Sequence, residues 1–122
     1  MTRPLLDEPH IHPAIREKIA HHHQDLLRQV QATLQAHPVV VLGMAGNPFV
    51  AKARKALATA GVPFQYLEYG SYLSQWRRRN ALKMWTGWPT FPMVFVRGTL
   101  VGGADDLKRL IASGDLKALL AA

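Results

Sequence analysis

Trp88-Pro89-Thr90-Phe91-Pro92-Met93-Val94-Phe95-Val96-Arg97-Gly98-Thr99-Leu100-Val101-Gly102-Gly103 is the stretch that decides the fold. Pro89 and Pro92 bracket Thr90-Phe91, and the β-branched and aromatic run Met93 to Val96 behind them predicts a strand. Arg97-Gly98 is a tight turn into a second strand, Thr99 to Val101, so the pair forms a hairpin. Gly102-Gly103 then opens a short helix from about Ala104 to Ser113, and Gly114-Asp115 separates it from a last helical segment through Leu120.

Upstream, Val39-Val40-Val41-Leu42 is a continuous apolar run between Pro38 and Gly43, the pattern of a strand buried on both faces. Asn47-Pro48 is a helix start, with an amide able to cap orphan N–H groups and a proline at the first helical position. The helix is expected to reach about Ala60 and to bury Phe49, Ala53, Leu57 and Ala60. Phe64 to Glu68 alternates as a strand, and a further helix is expected over about Tyr72 to Trp85. Ile15, Ile19, Leu26, Val30 and Leu34 predict one long amphipathic helix over Pro13 to Gln35, packed on the domain behind it. The order is a helix followed by β-α-β-α-β-β-α, a thioredoxin-like α/β arrangement with a four-stranded mixed sheet. Residues 1–37 read as an N-terminal extension and helix, and 38–122 as the domain proper.

At 122 residues and 48% apolar content the chain suits a single domain. It contains no cysteine, so it cannot form a disulfide or use a protein thiol as nucleophile or metal ligand. Met1 to His12 hold no apolar run of signal-peptide type, and no stretch has the length of a membrane span. A cytoplasmic protein without membrane association is expected.

The net charge of +7 arises wholly after residue 37, where eleven Lys and Arg face Glu68, Asp105, Asp106 and Asp115. The concentrations at Lys52-Ala53-Arg54-Lys55 and Arg77-Arg78-Arg79 suit an acidic protein partner or a small anion. No nucleic-acid-binding motif accompanies them, so a nucleic-acid partner is not expected. His21, His22 and His23 are about 100° apart on a helix and do not converge on one ion; no metal site is expected. Among the aromatics, Trp76 and Trp85 are expected mostly in the core, with Tyr69, Tyr72 and Trp88 partly exposed.

From Val39 to Leu120 the chain resembles the glutaredoxins, most closely their monothiol branch. The resemblance is carried by Trp88-Pro89-Thr90-Phe91-Pro92, the hairpin through Arg97-Gly98, Leu100-Val101-Gly102-Gly103 with Asp105, Arg79-Asn80-Ala81-Leu82-Lys83, and Ser113-Gly114-Asp115-Leu116. It implies a cis peptide between Phe91 and Pro92 and a glutathione groove. In that groove Thr90, Phe91 and Pro92 would meet the cysteinyl portion, Arg79 the glycine carboxylate, and Gly103, Ala104 and Asp105 the γ-glutamyl end.

Two departures from the family limit what the resemblance implies. Asn47-Pro48-Phe49-Val50 stands where the family carries its nucleophilic cysteine, and Met44 stands where it usually carries a lysine. No catalytic residue remains, and an iron-sulfur cluster is not expected, because an amide is a poor replacement for a thiolate. The expectation is a non-catalytic binder of glutathione or an extended peptide partner; the alternative is a glutathione-dependent oxidoreductase acting through the thiol of bound glutathione.

Overall fold

The computed structural model describes residues 3–121; Met1, Thr2 and Ala122, the outermost residues of the predicted extension and domain, lie outside the described residues. Four strands, β1 (Val39–Gly43), β2 (Gln65–Glu68), β3 (Met93–Val96) and β4 (Thr99–Gly102), form one sheet in the order β2-β1-β3-β4. β1 pairs parallel to β2 and antiparallel to β3, and β3 and β4 are antiparallel. Six α-helices surround it among the described residues: α1 (Pro13–Ala20), α2 (Gln24–Ala36), α3 (Pro48–Thr59), α4 (Trp76–Thr86), α5 (Ala104–Ser113) and α6 (Asp115–Ala121). No helix among the described residues is long and apolar enough to cross a membrane.

All five residues of β1 are buried, as a central strand covered on both faces requires. Alternation then sorts them. Val40 and Leu42 face a core shared with Leu26 and Val30 of α2, Leu82 of α4, and Met93 and Phe95 of β3. Val39 and Val41 face the opposite core, with Ala53 and Leu57 of α3, Val94 and Val96, and Leu107 and Leu116 of α5 and α6. The β3–β4 turn has Arg97 at φ 52° and Gly98 at φ 77°. Positive φ at both central residues is the backbone of a two-residue hairpin matched to strand twist.

At several points the local structure departs from the sequence pattern. The single N-terminal helix is two, because His23 takes a left-handed conformation at φ 51° and the chain turns between α1 and α2. Only the second part of the apolar stripe reaches the core; Ile15 and Ile19 remain 44% and 50% exposed. On α3 the buried residues are Val50, Ala53 and Leu57, whereas Phe49 points outward with Lys52 Nζ 5.2 Å from its ring centroid. The helix expected from Tyr72 begins at Trp76, since Ser71 and Ser74 side chains compete for the backbone groups ahead of it. Trp76 is accordingly exposed and Tyr69 buried, the reverse of the expected division, while Trp85 stacks on Phe95 at a centroid distance of 6.4 Å.

Candidate functional site

Pairing of Leu42 with Met93 puts the chain leaving β1 and the chain entering β3 at the same end of the sheet. Three features meet there: the start of α3, the Phe91–Pro92 step into β3, and the start of α5 after β4. Asn47 is the N-cap of α3, and its Oδ1 accepts from Phe49 N at 2.8 Å and Val50 N at 3.2 Å. The side chain that the resemblance aligns with the family's cysteine is therefore already engaged in holding the helix. It offers no nucleophile, because an amide nitrogen is not one and its oxygen is committed to two donors. Met44 is buried in the core rather than directed to solvent.

The Phe91–Pro92 peptide is cis. Phe91 and Pro92 are buried and Thr90 is exposed just before them. Beside them, a Cβ placed on Gly103 would lie 3.7 Å from the Pro92 carbonyl oxygen and 3.8 Å from Trp88 Nε1. Pro92, Gly103 and the Trp88 indole thus form one wall. Trp88 Nε1 is buried and has no hydrogen-bond partner among the described residues. A buried donor left unpaired costs about 1–3 kcal/mol, so this N–H is a feature of the wall that calls for an acceptor. The sequence pattern predicts Trp88 partly exposed and assigns its indole no bond; an indole N–H ahead of a Pro-Thr-Phe-Pro turn is the available signal.

At the start of α5, Gly103 N donates to Asp106 Oδ2 at 3.0 Å, and Asp106 Oδ1 lies 3.6 Å from Arg109 Nη1. Asp106 is thereby taken up in capping. Asp105 remains exposed, and the N–H groups of Ala104 and Asp105 belong to the first helical turn, which has no intrahelical acceptor for them. This corner presents two donors, the positive end of the helix dipole and a carboxylate. It is a complement to a zwitterionic amino-acid terminus.

Arg79 sits differently from the other predicted residues. It is 7% exposed, and its Nη1 donates to the carbonyl of Tyr69 at 2.9 Å and to the carbonyl of Ser74. Those bonds tie the loop after β2 to α4. Tyr69 itself is buried, and loss of hydration pushes its phenol upward in pKa. The cation found beside the Phe91–Pro92 turn is Lys83, whose Nζ lies 5.9 Å from the Phe91 ring centroid. The structure therefore brings Thr90, Phe91, Pro92, Gly103, Ala104 and Asp105 to one end of the sheet, with Lys83 on the Phe91 side and Arg79 inside the loop.

The family model described as Glutaredoxin matches residues 39–101, more than half of the chain. A glutaredoxin-like protein of Dictyostelium discoideum is 49% identical over 98 residues, covering 80% of each chain. Monothiol glutaredoxin-S17 of Arabidopsis thaliana is 39% identical over 89 residues, 66% of this chain and 17% of that longer protein. The crystal structure of a buckwheat glutaredoxin–glutathione complex superposes with a TM-score of 0.71 at 24% identity, covering 83% of this chain and 92% of that one. The chain belongs to the glutaredoxin family, with a glutaredoxin thioredoxin-like fold. It is a member that has no cysteine.

Proposed function

We propose that this protein is a glutaredoxin-fold binding module that takes glutathione, or an extended peptide of similar chemistry, without thiol exchange of its own. The observation that carries the reading is the pairing of an uncommitted Asp105 and the first-turn N–H groups of α5 with a groove wall made by Pro92, Gly103 and Trp88. In this reading the γ-glutamyl carboxylate accepts from Ala104 N and Asp105 N, and its ammonium pairs with the Asp105 carboxylate. The backbone at Thr90, Phe91 and Pro92 lines the cysteinyl portion. Lys83 is the cation for the glycine carboxylate, and Arg79 supports the site by fixing the adjoining loop.

A bound glutathione would supply a free thiol; the chain's own residues would bind and orient it but contribute no sulfur and form no covalent intermediate. The buckwheat relative was crystallised with glutathione, which supports the ligand class for a shared fold. The protein would work in the cytoplasm, and the excess of basic side chains on residues 38–122 fits an acidic protein partner.

Calorimetric titration with reduced glutathione and with S-methylglutathione tests this, coupled to a disulfide-reduction assay. Saturable binding of both at similar affinity is expected, because no protein sulfur reads the ligand's thiol, together with reduction no faster than glutathione alone. Absence of binding at millimolar ligand would overturn the reading. Reduction that saturates in glutathione would replace it with catalysis through the bound thiol.

A further inference from the structure

Residues 70–75, between β2 and α4, are anchored from several sides. Gly70 O accepts from Ala45 N at 2.7 Å, Ser71 N donates to Ser74 Oγ at 3.1 Å, Leu73 N donates to Ser71 Oγ at 3.3 Å, and Ser74 O accepts from Arg79. A loop held this way has few conformations left. What it holds outward is apolar: Leu73 is 97% exposed, Tyr72 65% and Trp76 57%.

Single exposed apolar residues are ordinary on protein surfaces, but here three large ones fall within five positions of the chain. Burying a leucine removes about 1.5–3 kcal/mol of exposed-surface cost, and this loop forgoes that in the monomer. Tyr and Trp are the side chains that dominate contact energies at interfaces, as is the arginine that follows them. Because the loop is already ordered, a partner would not bear the entropy of ordering it.

Along the chain, the charge next to this patch has one sign. Between Glu68 and Asp105 the sequence contains no Asp or Glu, while Arg77 and Arg78 directly follow Trp76 and are exposed. The Arg77 guanidinium lies 5.3 Å from the Trp76 ring centroid, which keeps cation and apolar face together. Arg78 borders a recess that also contains His21, His23 and Asp25, so Arg77 is the arginine least shared with the fold.

We propose that Tyr72, Leu73 and Trp76, rimmed by Arg77 and Arg78, are the docking face for an acidic amphipathic helix of a partner protein. Such a helix offers an apolar stripe to the three side chains and carboxylates along its border to the arginines, which grip carboxylates in a planar, two-point fashion. This gives the acidic-partner part of the proposed function its surface and rests on that part.

The test uses a fluorescent amphipathic helical peptide with a leucine stripe bordered by glutamates, a polar peptide of the same negative charge, and phosphatidylserine-containing vesicles. Anisotropy should show saturable, salt-sensitive binding of the full chain to the amphipathic peptide, about tenfold weaker for the polar one. Leu73→Asp and the double variant Arg77→Glu/Arg78→Glu should each weaken it by about tenfold or more, with glutathione affinity unchanged in Leu73→Asp. Equal binding of both peptides, unaffected by Leu73→Asp, would overturn the docking face while leaving the acidic-partner reading standing. Binding of neither peptide would overturn both. Recruitment to vesicles without binding to the peptide would overturn the proposal in favour of a membrane surface.

Discussion

Arg79 reaches from the first turn of α4 to the carbonyl of Tyr69 with Nη1 at 2.9 Å, so a guanidinium nearly sealed from solvent holds the loop that leaves β2. Within the glutathione motif this residue was expected to face a ligand carboxylate. In the structure it satisfies two backbone acceptors, and its neighbour one turn later, Lys83, stands beside Phe91. In the proposed function the two cations divide the labour, Arg79 structural and Lys83 facing the ligand.

Arg79→Ala is therefore expected to lower stability as well as any affinity. Hydrogen bonds from a charged donor are worth about 1.5–3 kcal/mol each, and removal leaves the Tyr69 carbonyl without its donor, so a loss of about 2–3 kcal/mol should appear in urea unfolding. Lys83→Ala, at a half-exposed position, should leave the unfolding midpoint nearly unchanged while weakening glutathione binding. The reverse ranking, with Lys83 silent and Arg79 affecting affinity alone, would return the ligand carboxylate to Arg79.

Asn47→Cys should restore a reactive thiol. The position is the N-cap of α3, whose first turn contains no acidic residue, and the helix dipole there favours an anion. Its pKa is expected below the ~8.5 of free cysteine, seen as alkylation that persists below neutral pH. Incubation with glutathione disulfide should add one glutathione by mass. The variant also loses two cap bonds, costing about 1 kcal/mol. A thiol titrating at or above the free value would mean that this end of the sheet has lost the family's electrostatics.

Gly43→Ala should destabilise the centre of the sheet. A Cβ there would stand 2.7 Å from both Tyr66 Cε1 and Val50 Cγ1. Forcing a methyl into that space costs about 1–3 kcal/mol, and thermal unfolding should register the loss without any change in secondary structure.

Tyr66 gives the fold an alkaline dependence. Burial, and then a hydrogen bond of 3.0 Å to Glu68 Oε1, push its phenol up to about 12 from an ordinary value of 10.0. The neutral form is favoured by the native state. Stability from this group is thus fully present below pH 10 and is lost as pH rises from there to about 12. Tyr66→Phe should show a shallower decline in urea midpoint across that window, and a spectroscopic phenolate titration of the native protein should lose its latest-ionising step in the variant.

Much of the architecture was legible because the decisive segments carry redundant signals. Val39 to Leu42 is apolar throughout and capped by Pro38 and Gly43; Arg97-Gly98 punctuates a hairpin; Asn47-Pro48 and Gly103 mark helix starts that the structure bears out. The N-terminal helices were not legible as two, since Ile15, Ile19, Leu26, Val30 and Leu34 keep helical spacing across the left-handed turn at His23. Leu73 and Trp76 likewise carry a helical spacing, while Ser71 and Ser74 bind the backbone locally and leave Leu73 in solvent. Motif order grouped Phe91, Pro92, Gly103 and Asp105, which the structure brings to one end of the sheet. The direction taken by Arg79 and the burial of Trp88 Nε1 depend on packing between segments distant in sequence, which spacing does not encode.

The most direct measurement is a titration of isotopically labelled protein with reduced glutathione, following backbone amides. Saturable shifts are expected at Phe91, Gly103, Ala104 and Asp105, with the Trp88 indole N–H moving in parallel and the shifts weakened in Lys83→Ala. Unchanged amides at these positions up to millimolar glutathione, in a protein whose remaining spectrum is well dispersed, would contradict the binding function proposed for this groove.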